Sequence, residues 1–305
     1  MKKSKLARLI AAICCFAMLL AACSSNQTPA ESGGDGSTTA DSEKKVLTYA
    51  IGAETTDLST LYMNNSLYCT SKLVYENLVD FDNGEIVPGL AESWEYNDDQ
   101  TELTFHLRQG VTFHNGEPFN AEAVKTNLEH KQSNPSFYSL KGITDIQEIE
   151  VVDEYTITLH YDHPFYAYLQ DFCWPDVNPM SAPEYIIPGD FQTISGVAGT
   201  GPYIYDEYVA GEYTRFVRNE DYWGETPYWD EIIVKYIPDS TSRLQALQTG
   251  EIDMIYGGTL LTYEEYDQAL AMDGIDGQMA EKDTRVQVIT TNATSPYLSD
   301  IRVRQ

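Results

Sequence analysis

The chain of 305 residues carries 47 acidic residues against 19 lysines and arginines, which gives a formal net charge of −28 at pH 7. A surface of this charge repels a phosphate backbone, so the composition excludes nucleic acid as a partner. The length is sufficient for two domains, and the 22 tyrosines and four tryptophans suit both a hydrophobic core and the lining of a ligand cleft.

Residues 1–22 have the organisation of a secretory signal peptide. Cationic residues between positions 2 and 8 precede an apolar run at 9–20, which is too short for a membrane-spanning helix of about 20 residues. Two alanines stand directly before Cys23, as in a bacterial lipoprotein signal. We therefore expect cleavage before Cys23 and a lipid anchor on its thiol, outside the cytoplasm on the cell membrane. An uncleaved N-terminal anchor helix is the alternative.

Residues 23–44 contain mostly Ser, Gly, Thr, Asp and Glu, which predicts a flexible tether between the lipid and the folded body. Outside the signal and the lipid site, Cys69 and Cys173 are the remaining cysteines. A disulfide is permitted outside the cytosol. Their spacing does not place the two sulfurs together, so paired and free thiols both stay open.

The first predicted strand spans 46–51. A helix is predicted after it, because Leu67, Ser71, Val74 and Leu78 fall on one helical face. The other elements are predicted by alternation or by capping residues. In the first half of the chain they are strands at 93–96 and 102–107 around a turn at 97–100, a helix capped by Asn120, and a strand at 155–159. A connecting region at 173–203 precedes a helix from Asp239 to Gly250, in which Leu244 and Leu247 face inward. An extended segment at 252–256 and a helix with a capping box of Thr262 and Glu265 follow. This mixture favours a mixed α/β architecture over a barrel or a helical bundle.

Several separated segments, taken together, resemble the peptide/nickel family (family 5) of bacterial extracytoplasmic solute-binding proteins. The segments are 89–94 (GLAESW), 105–108 (FHLR), 110–124 (GVTFHNGEPFNAEAV), 199–203 (GTGPY), 218–224 (RNEDYWG) and 250–253 (GEID). The resemblance covers about residues 46–305. The residue types within 108–120 predict turns, helix caps and ion pairs of a scaffold, so we do not interpret them as a ligand site.

The resemblance implies an α/β fold of the two-lobed periplasmic-binding-protein type (class II-like), with an extra domain inserted in the first lobe. Residues 45–60 and 186–284 would form the first lobe and 61–185 the inserted domain. Residues 285–305 would begin a second lobe that is largely missing from this chain, so we expect the sequence to be a fragment or a truncated product.

The resemblance also suggests which residues contact a ligand between the lobes. The candidates are Tyr62, Met63, Tyr68, Phe137, Tyr138, Trp174 and Asp176. Each aromatic candidate taken alone is equally a core residue. Asp176 is suited to a cationic solute or a peptide amino group, or it is a solvated loop acid.

The nickel and nickel-chelate branch is the nearest one, through the segments 115–119 and 165–172. In that branch an arginine near the position of Trp174 holds the carboxylates of a metal chelator. Here Asp176 stands in that region, and an aspartate cannot clamp an anion. We expect His160 and His163 not to bind a metal directly, because their spacing along a strand turns the two rings to opposite faces.

No catalytic motif is found in the sequence: there is no Gly-x-Ser-x-Gly, no His-Glu-x-x-His and no phosphate-binding glycine loop. We therefore expect a monomeric, non-enzymatic receptor without a cofactor or resident metal, which captures a peptide or small molecule for an ABC permease and ATPase complex. The alternatives are a nickel or nickel-chelate receptor of the same family and a surface sensor or pheromone receptor without transport. A surface glycosidase with paired carboxylates has no support beyond the abundance of acidic residues.

Overall fold

The computed structural model describes residues 44–278, except 57, 59, 61–68, 165, 175–178, 192, 194 and 258–260. The strands are β1 (Val46–Ile51), β2 (Val79–Asp82), β3 (Glu85–Pro88), β4 (Ala91–Tyr96), β5 (Glu102–Leu107), β6 (Ile146–Asp153), β7 (Thr156–Tyr161), β8 (Tyr203–Val209), β9 (Tyr213–Arg218), β10 (Glu231–Tyr236) and β11 (Met254–Ile255). The helices are α1 (Ser71–Val74), α2 (Ala121–Ser133), α3 (Lys141–Thr144), α4 (Tyr168–Asp171), α5 (Ser240–Thr249) and α6 (Tyr263–Leu270).

A five-stranded mixed sheet has the strand order β11-β1-β10-β9-β8. Strand β1 runs parallel to both of its neighbours, and Val46 pairs with Glu231 of β10. One face carries a cluster of buried apolar side chains, among them Tyr49, Val74 and Phe216. On the opposite face Ala50 packs with Ala246 of α5. The early strand β1 is therefore an inner strand of a sheet built mostly from residues after 200.

A second sheet is antiparallel, with the strand order β4-β5-β7-β6. Side chains of β5 alternate between buried and partly exposed, as expected for a strand with one face on a core. Helices α2 and α3 lie against this sheet, and α4 packs on α3 and stacks Tyr168 on Tyr161 of β7. Phe105 meets Phe172 edge-to-face with 5.2 Å between ring centroids. Together they enclose the larger hydrophobic core of the described chain.

Most of the elements expected from the sequence are confirmed, including the mixed α/β class. Strand 46–51 has the predicted bounds, and the strand expected at 93–96 begins at Ala91. The three predicted caps are present: the side chains of Asn120, Asp239 and Thr262 accept backbone hydrogen bonds, and Glu265 completes the capping box. The division into lobes at 45–60, 61–185 and 186–284 stays a prediction.

The helix expected across Leu67 to Leu78 is wrong in its C-terminal half. Leu67 lies outside the described residues, and α1 ends at Val74, after which Tyr75 is extended. The carbonyl of Val74 accepts a hydrogen bond from the backbone N–H of Gly201 at 2.9 Å. That tertiary contact occupies the oxygen that a longer helix would bond to the N–H of Leu78.

The extended segment expected at 252–256 is shorter than predicted, since only Met254–Ile255 pair as strand β11. Cys69 and Cys173 are both free, and Cys173 is buried in the larger core. His160 lies 3.0 Å from Glu150 through Nε2, whereas His163 contacts Asp162 and Asp145. Across the described ranges, no helix has the length and apolar character to cross a membrane, and no cluster of three His, Cys, Asp or Glu side chains is arranged to hold a metal ion.

Candidate functional site

Two cavities adjoin at α1, and the side chain of Lys72 lines both of them. The first, of about 300 Å³, is mostly apolar and is lined by Leu47, Tyr49, Cys69, Lys72, Leu73, Ile232, Met254 and Tyr256. The second, of about 190 Å³, is polar and is lined by Lys72, Tyr75, Glu76, Asn77, Asp80, Pro202 and Tyr222. A concave apolar surface beside a few convergent polar groups is the usual form of a small-molecule site.

Two tyrosines give the apolar cavity its shape. Tyr49 of β1 and Tyr256 after β11 meet edge-to-face, with 5.9 Å between their ring centroids. The Tyr49 hydroxyl donates a hydrogen bond to the carbonyl of Cys69 at 2.8 Å. Burial raises the pKa of Tyr49 and that of the Cys69 thiol, so both groups are neutral at physiological pH. Lys72 is consequently the charged group of this cavity.

Glu76 organises the polar cavity. Its carboxylate accepts three hydrogen bonds, from Thr200 Oγ1 at 2.8 Å, Tyr222 OH at 2.8 Å and Trp223 Nε1 at 2.7 Å. Burial raises the pKa of Glu76, and the three hydrogen bonds oppose that rise by favouring the ionised form. The segments 199–203 and 218–224, which are far apart in sequence, therefore meet on one carboxylate that follows α1 directly.

An ion pair and a buried amide complete the polar cavity. Lys72 Nζ lies 2.9 Å from Asp80 Oδ1, and Asn77 Nδ2 approaches the same oxygen at 3.5 Å. Asn77 is only 2% exposed, and its Oδ1 has no hydrogen-bond partner among the described residues. A buried acceptor without a donor is destabilising, so this oxygen lowers the stability of the fold beside α1.

Glycines bring the wall of the polar cavity against α1. A β-carbon added at Gly199 would lie 2.0 Å from the Val74 carbonyl oxygen, and one at Gly201 would lie 2.7 Å from the same oxygen. His114 secures this loop, because its Nε2 lies 2.9 Å from the carbonyl of Gly201. Burial lowers the pKa of His114, which keeps the ring neutral.

The segment around Arg108 serves as scaffold, in agreement with its interpretation from the sequence. Arg108 Nε donates to the carbonyl of Gly89 at 2.7 Å, and the guanidinium lies 4.6 Å from the centre of the Trp223 ring. Its approach to Glu92 is long, at 3.8 Å. Arg108 thus supports Trp223, which in turn bonds Glu76.

Few of the ligand contacts expected from the sequence lie in the described chain. Phe137 is completely buried in the larger core, whereas Tyr138 is 76% exposed and Trp174 is 52% exposed. Tyr62, Met63, Tyr68, Asp176 and Cys23 lie outside the described residues. Their role at a ligand stays a prediction.

The residues that line the cavities were not among the expected contacts. One sequence signal points to them: Glu76 and Asn77 interrupt an otherwise apolar run between Leu73 and Val79. Polar side chains inside such a run require buried partners, and those partners define the polar cavity.

Comparison with known proteins identifies relatives over most of the chain. Residues 85–305 match the family model described as bacterial extracellular solute-binding proteins, family 5 Middle. The nickel-binding periplasmic protein of Escherichia coli (strain K12) is 32% identical over 254 residues, which are 80% of this chain and 47% of that protein. Heme-binding protein A of Haemophilus influenzae is 29% identical over 79% of this chain and 48% of its own length. The chain thus spans about half the length of these curated relatives.

Solved structures also match over most of this chain and about half of their own length. NikA from Brucella suis in complex with Fe(III)-EDTA is similar with a TM-score of 0.68 and 33% identity, over 74% of this chain and 46% of that one. DppA from Helicobacter pylori in complex with the peptide STSA has a TM-score of 0.64 and 28% identity, over 75% of this chain and 49% of that one. The described fold is therefore shared with structures that hold different small ligands.

Proposed function

Because the chain belongs to family 5 of the bacterial extracellular solute-binding proteins, we propose that it serves as the solute receptor of an ATP-driven importer. It captures short peptides or a related small solute outside the cytoplasm and delivers them to a membrane permease. The observation that carries the proposal is the family match over residues 85–305. The relatives from Escherichia coli and Haemophilus influenzae are a nickel-binding and a heme-binding protein, which supports a binding function for this chain.

The mechanism follows from the fold class, which is the two-lobed α/β type of periplasmic binding proteins. A receptor of this kind closes around its ligand by a hinge motion, and the closed form is the one that the ligand stabilises. Capture needs complementary surfaces and no chemical step. In this chain, Tyr138 and Trp174 have the exposed rings that such contact requires.

The ligand surface in this proposal comprises the residues expected from the sequence. They are Tyr62, Met63, Tyr68, Phe137, Tyr138, Trp174 and Asp176. The ring of Phe137 is fully buried in the described chain, so it is the least suited of these candidates to direct contact with a ligand. Asp176 supports a solute with a cationic group, and the strongly acidic composition favours the same class weakly.

A nickel or nickel-chelate receptor is the second candidate. It is favoured by the 32% identity to the nickel-binding periplasmic protein and by the 33% identity to the Fe(III)-EDTA complex of NikA. Against it stands Asp176, which cannot clamp the carboxylates of a chelator as an arginine would.

Native mass spectrometry of the captured cargo tests the function. The full-length gene product, made without residues 1–22, is pulled down from extract of its own cells and sprayed without denaturation. We expect a bound mass that fragments into short peptides. A nickel isotope pattern with an organic chelator would replace the peptide proposal with the second candidate. If protein that unfolds cooperatively retains no ligand, both the peptide proposal and the nickel candidate are contradicted.

The lipid anchor that we propose at Cys23 has its own test. The Cys23→Ala variant is expected to shift nearly all of the protein from the membrane fraction to the soluble fraction, because the acyl chains that hold it are lost. The Cys69→Ala variant, which removes a free thiol of the folded body, is the matched control and stays with the membranes. Membrane retention of Cys23→Ala equal to that of the control would refute the anchor.

A further inference from the structure

The sequence contains two Asn-Gly pairs, Asn83-Gly84 and Asn115-Gly116. We infer that Asn83 is a site of spontaneous deamidation, at which water converts the side-chain amide into a carboxylate, and that the fold protects Asn115 from the same reaction. The modification is independent of the solute that the receptor binds, since it needs only the local geometry of the pair and water.

The reaction begins as an intramolecular substitution. The backbone nitrogen of the glycine attacks Cγ of the asparagine, so that a new C–N bond forms. The bond from Cγ to Nδ2 breaks, and Nδ2 leaves as ammonia with the proton of the glycine N–H. Water then opens one of the two C–N bonds of the resulting succinimide, which restores the N–H and leaves aspartate or isoaspartate. Glycine favours the attack because no β-carbon crowds its nitrogen.

Asn83 and Gly84 form the two-residue tip of the β2–β3 hairpin, since Asp82 pairs with Glu85. Their φ values of +50° and +88° are those of a type I′ turn. Both residues are exposed. Within the described chain, neither the Asn83 side chain nor the Gly84 N–H makes a hydrogen bond. The attacking nitrogen and the leaving amide are therefore both free, and water reaches them.

Asn115-Gly116 provides a matched comparison, because its glycine also has a φ of +88° and open space at the position of a β-carbon. Here the side chain is held: Nδ2 donates to Glu117 Oε2 at 2.9 Å and to Glu184 Oε2 at 3.1 Å. Its Oδ1 accepts from the Glu117 N–H at 3.2 Å, and the Gly116 N–H donates to the carbonyl of Phe113 at 2.8 Å. Attack on Cγ requires these hydrogen bonds to break first.

Deamidation at the hairpin tip adds a negative charge where two are already opposed. Asp82 and Glu85 face each other across the turn, and like charges in that arrangement are destabilising. The isoaspartate product also adds a methylene group to the backbone of a tight turn. Val79, at the base of the hairpin, is buried in the larger core. We therefore expect the effect to stay local to the turn.

Peptide mapping of the protein without residues 1–22, incubated at mildly alkaline pH, measures both sites. Trypsin cleavage after Lys72, Arg108 and Lys125 places Asn83 in the peptide 73–108 and Asn115 in the peptide 109–125. In the folded protein, we expect the gain in mass from exchange of NH₂ for OH to be at least about 10-fold faster at Asn83, because several hydrogen bonds protect Asn115. In guanidinium chloride the two rates should become similar.

Asn83→Gln is the matched variant, since its longer side chain would have to close a six-membered ring, which is slower. Gln100 has a φ of +56°, so this fold already holds a glutamine at positive φ. The variant's peptide 73–108 should keep its mass. An undiminished gain in mass there would assign the reaction to Asn77 or Asn97 and overturn the inference. Equal rates at the two Asn-Gly pairs in the folded protein, or a difference that persists after unfolding, would overturn it as well.

Discussion

Replacing Gly199 with alanine is expected to lower the free energy of unfolding by about 3 kcal/mol, measured by urea denaturation of the protein without residues 1–22. The added methyl group would lie 2.0 Å from the Val74 carbonyl oxygen and 2.6 Å from a ring carbon of Tyr75. Both neighbours are held in place, since the Val74 oxygen bonds the N–H of Gly201 and the Tyr75 hydroxyl donates to the carbonyl of Leu58. The strain therefore cannot be relieved by turning one flexible side chain.

Gly110→Ala is the matched control for this prediction. Gly110 has a φ of +75° and open space around the position of a β-carbon. Replacing it with alanine lowers the free energy of unfolding only by the penalty of a positive φ for a residue with a β-carbon, about 1 kcal/mol. If Gly199→Ala unfolds at the same urea concentration as Gly110→Ala, the close packing of the 199–203 loop on α1 is not present in solution.

The stability of the protein is expected to rise by about 1.5 kcal/mol between pH 7 and pH 8.5 through a single buried lysine. Lys131 of α2 is almost completely buried, and its ammonium donates to the carbonyl of Pro179 at 2.7 Å. Burial lowers its pKa from 10.5 to about 7. Above pH 7 the unfolded chain therefore binds more protons at this side chain than the folded chain does, so unfolding becomes less favourable as the pH increases.

Chemical denaturation at several pH values, compared between variants, isolates this contribution. Lys131→Met removes the titrating group and should flatten the dependence between pH 7 and pH 8.5. Lys125→Met removes a partly exposed lysine on the same helix, 3.9 Å from Glu129, and should keep the slope. Parallel curves for the unmodified protein and Lys131→Met would show that Lys131 does not titrate in this range.

Local patterns determined much of the fold. Alternation along β5 and the capping side chains of Asn120, Asp239 and Thr262 act within a few residues, so the sequence displays them directly. The end of α1 is not displayed by the sequence in this way. It depends on a hydrogen bond between Val74 and Gly201, which no local pattern encodes.

The candidate site was harder to predict for the same reason. Glu76 receives its donors from Thr200, Tyr222 and Trp223, which lie 124 to 147 residues further along the chain. Aromatic content alone could not separate the exposed Tyr138 from the buried Phe137, because the two rings are adjacent in sequence and differ only in tertiary burial.

The inner position of β1 imposes an order on folding. Lys45, at the start of this strand, bonds Asp230, which emerges 185 residues later. Strand β4 pairs with β5, and β6 with β7, as near neighbours in sequence, and such contacts form sooner because less loop entropy is lost. We therefore expect the backbone of β1 to remain unpaired while the four-stranded sheet forms. Until β10 is available for pairing, the unpaired backbone of this apolar strand favours self-association.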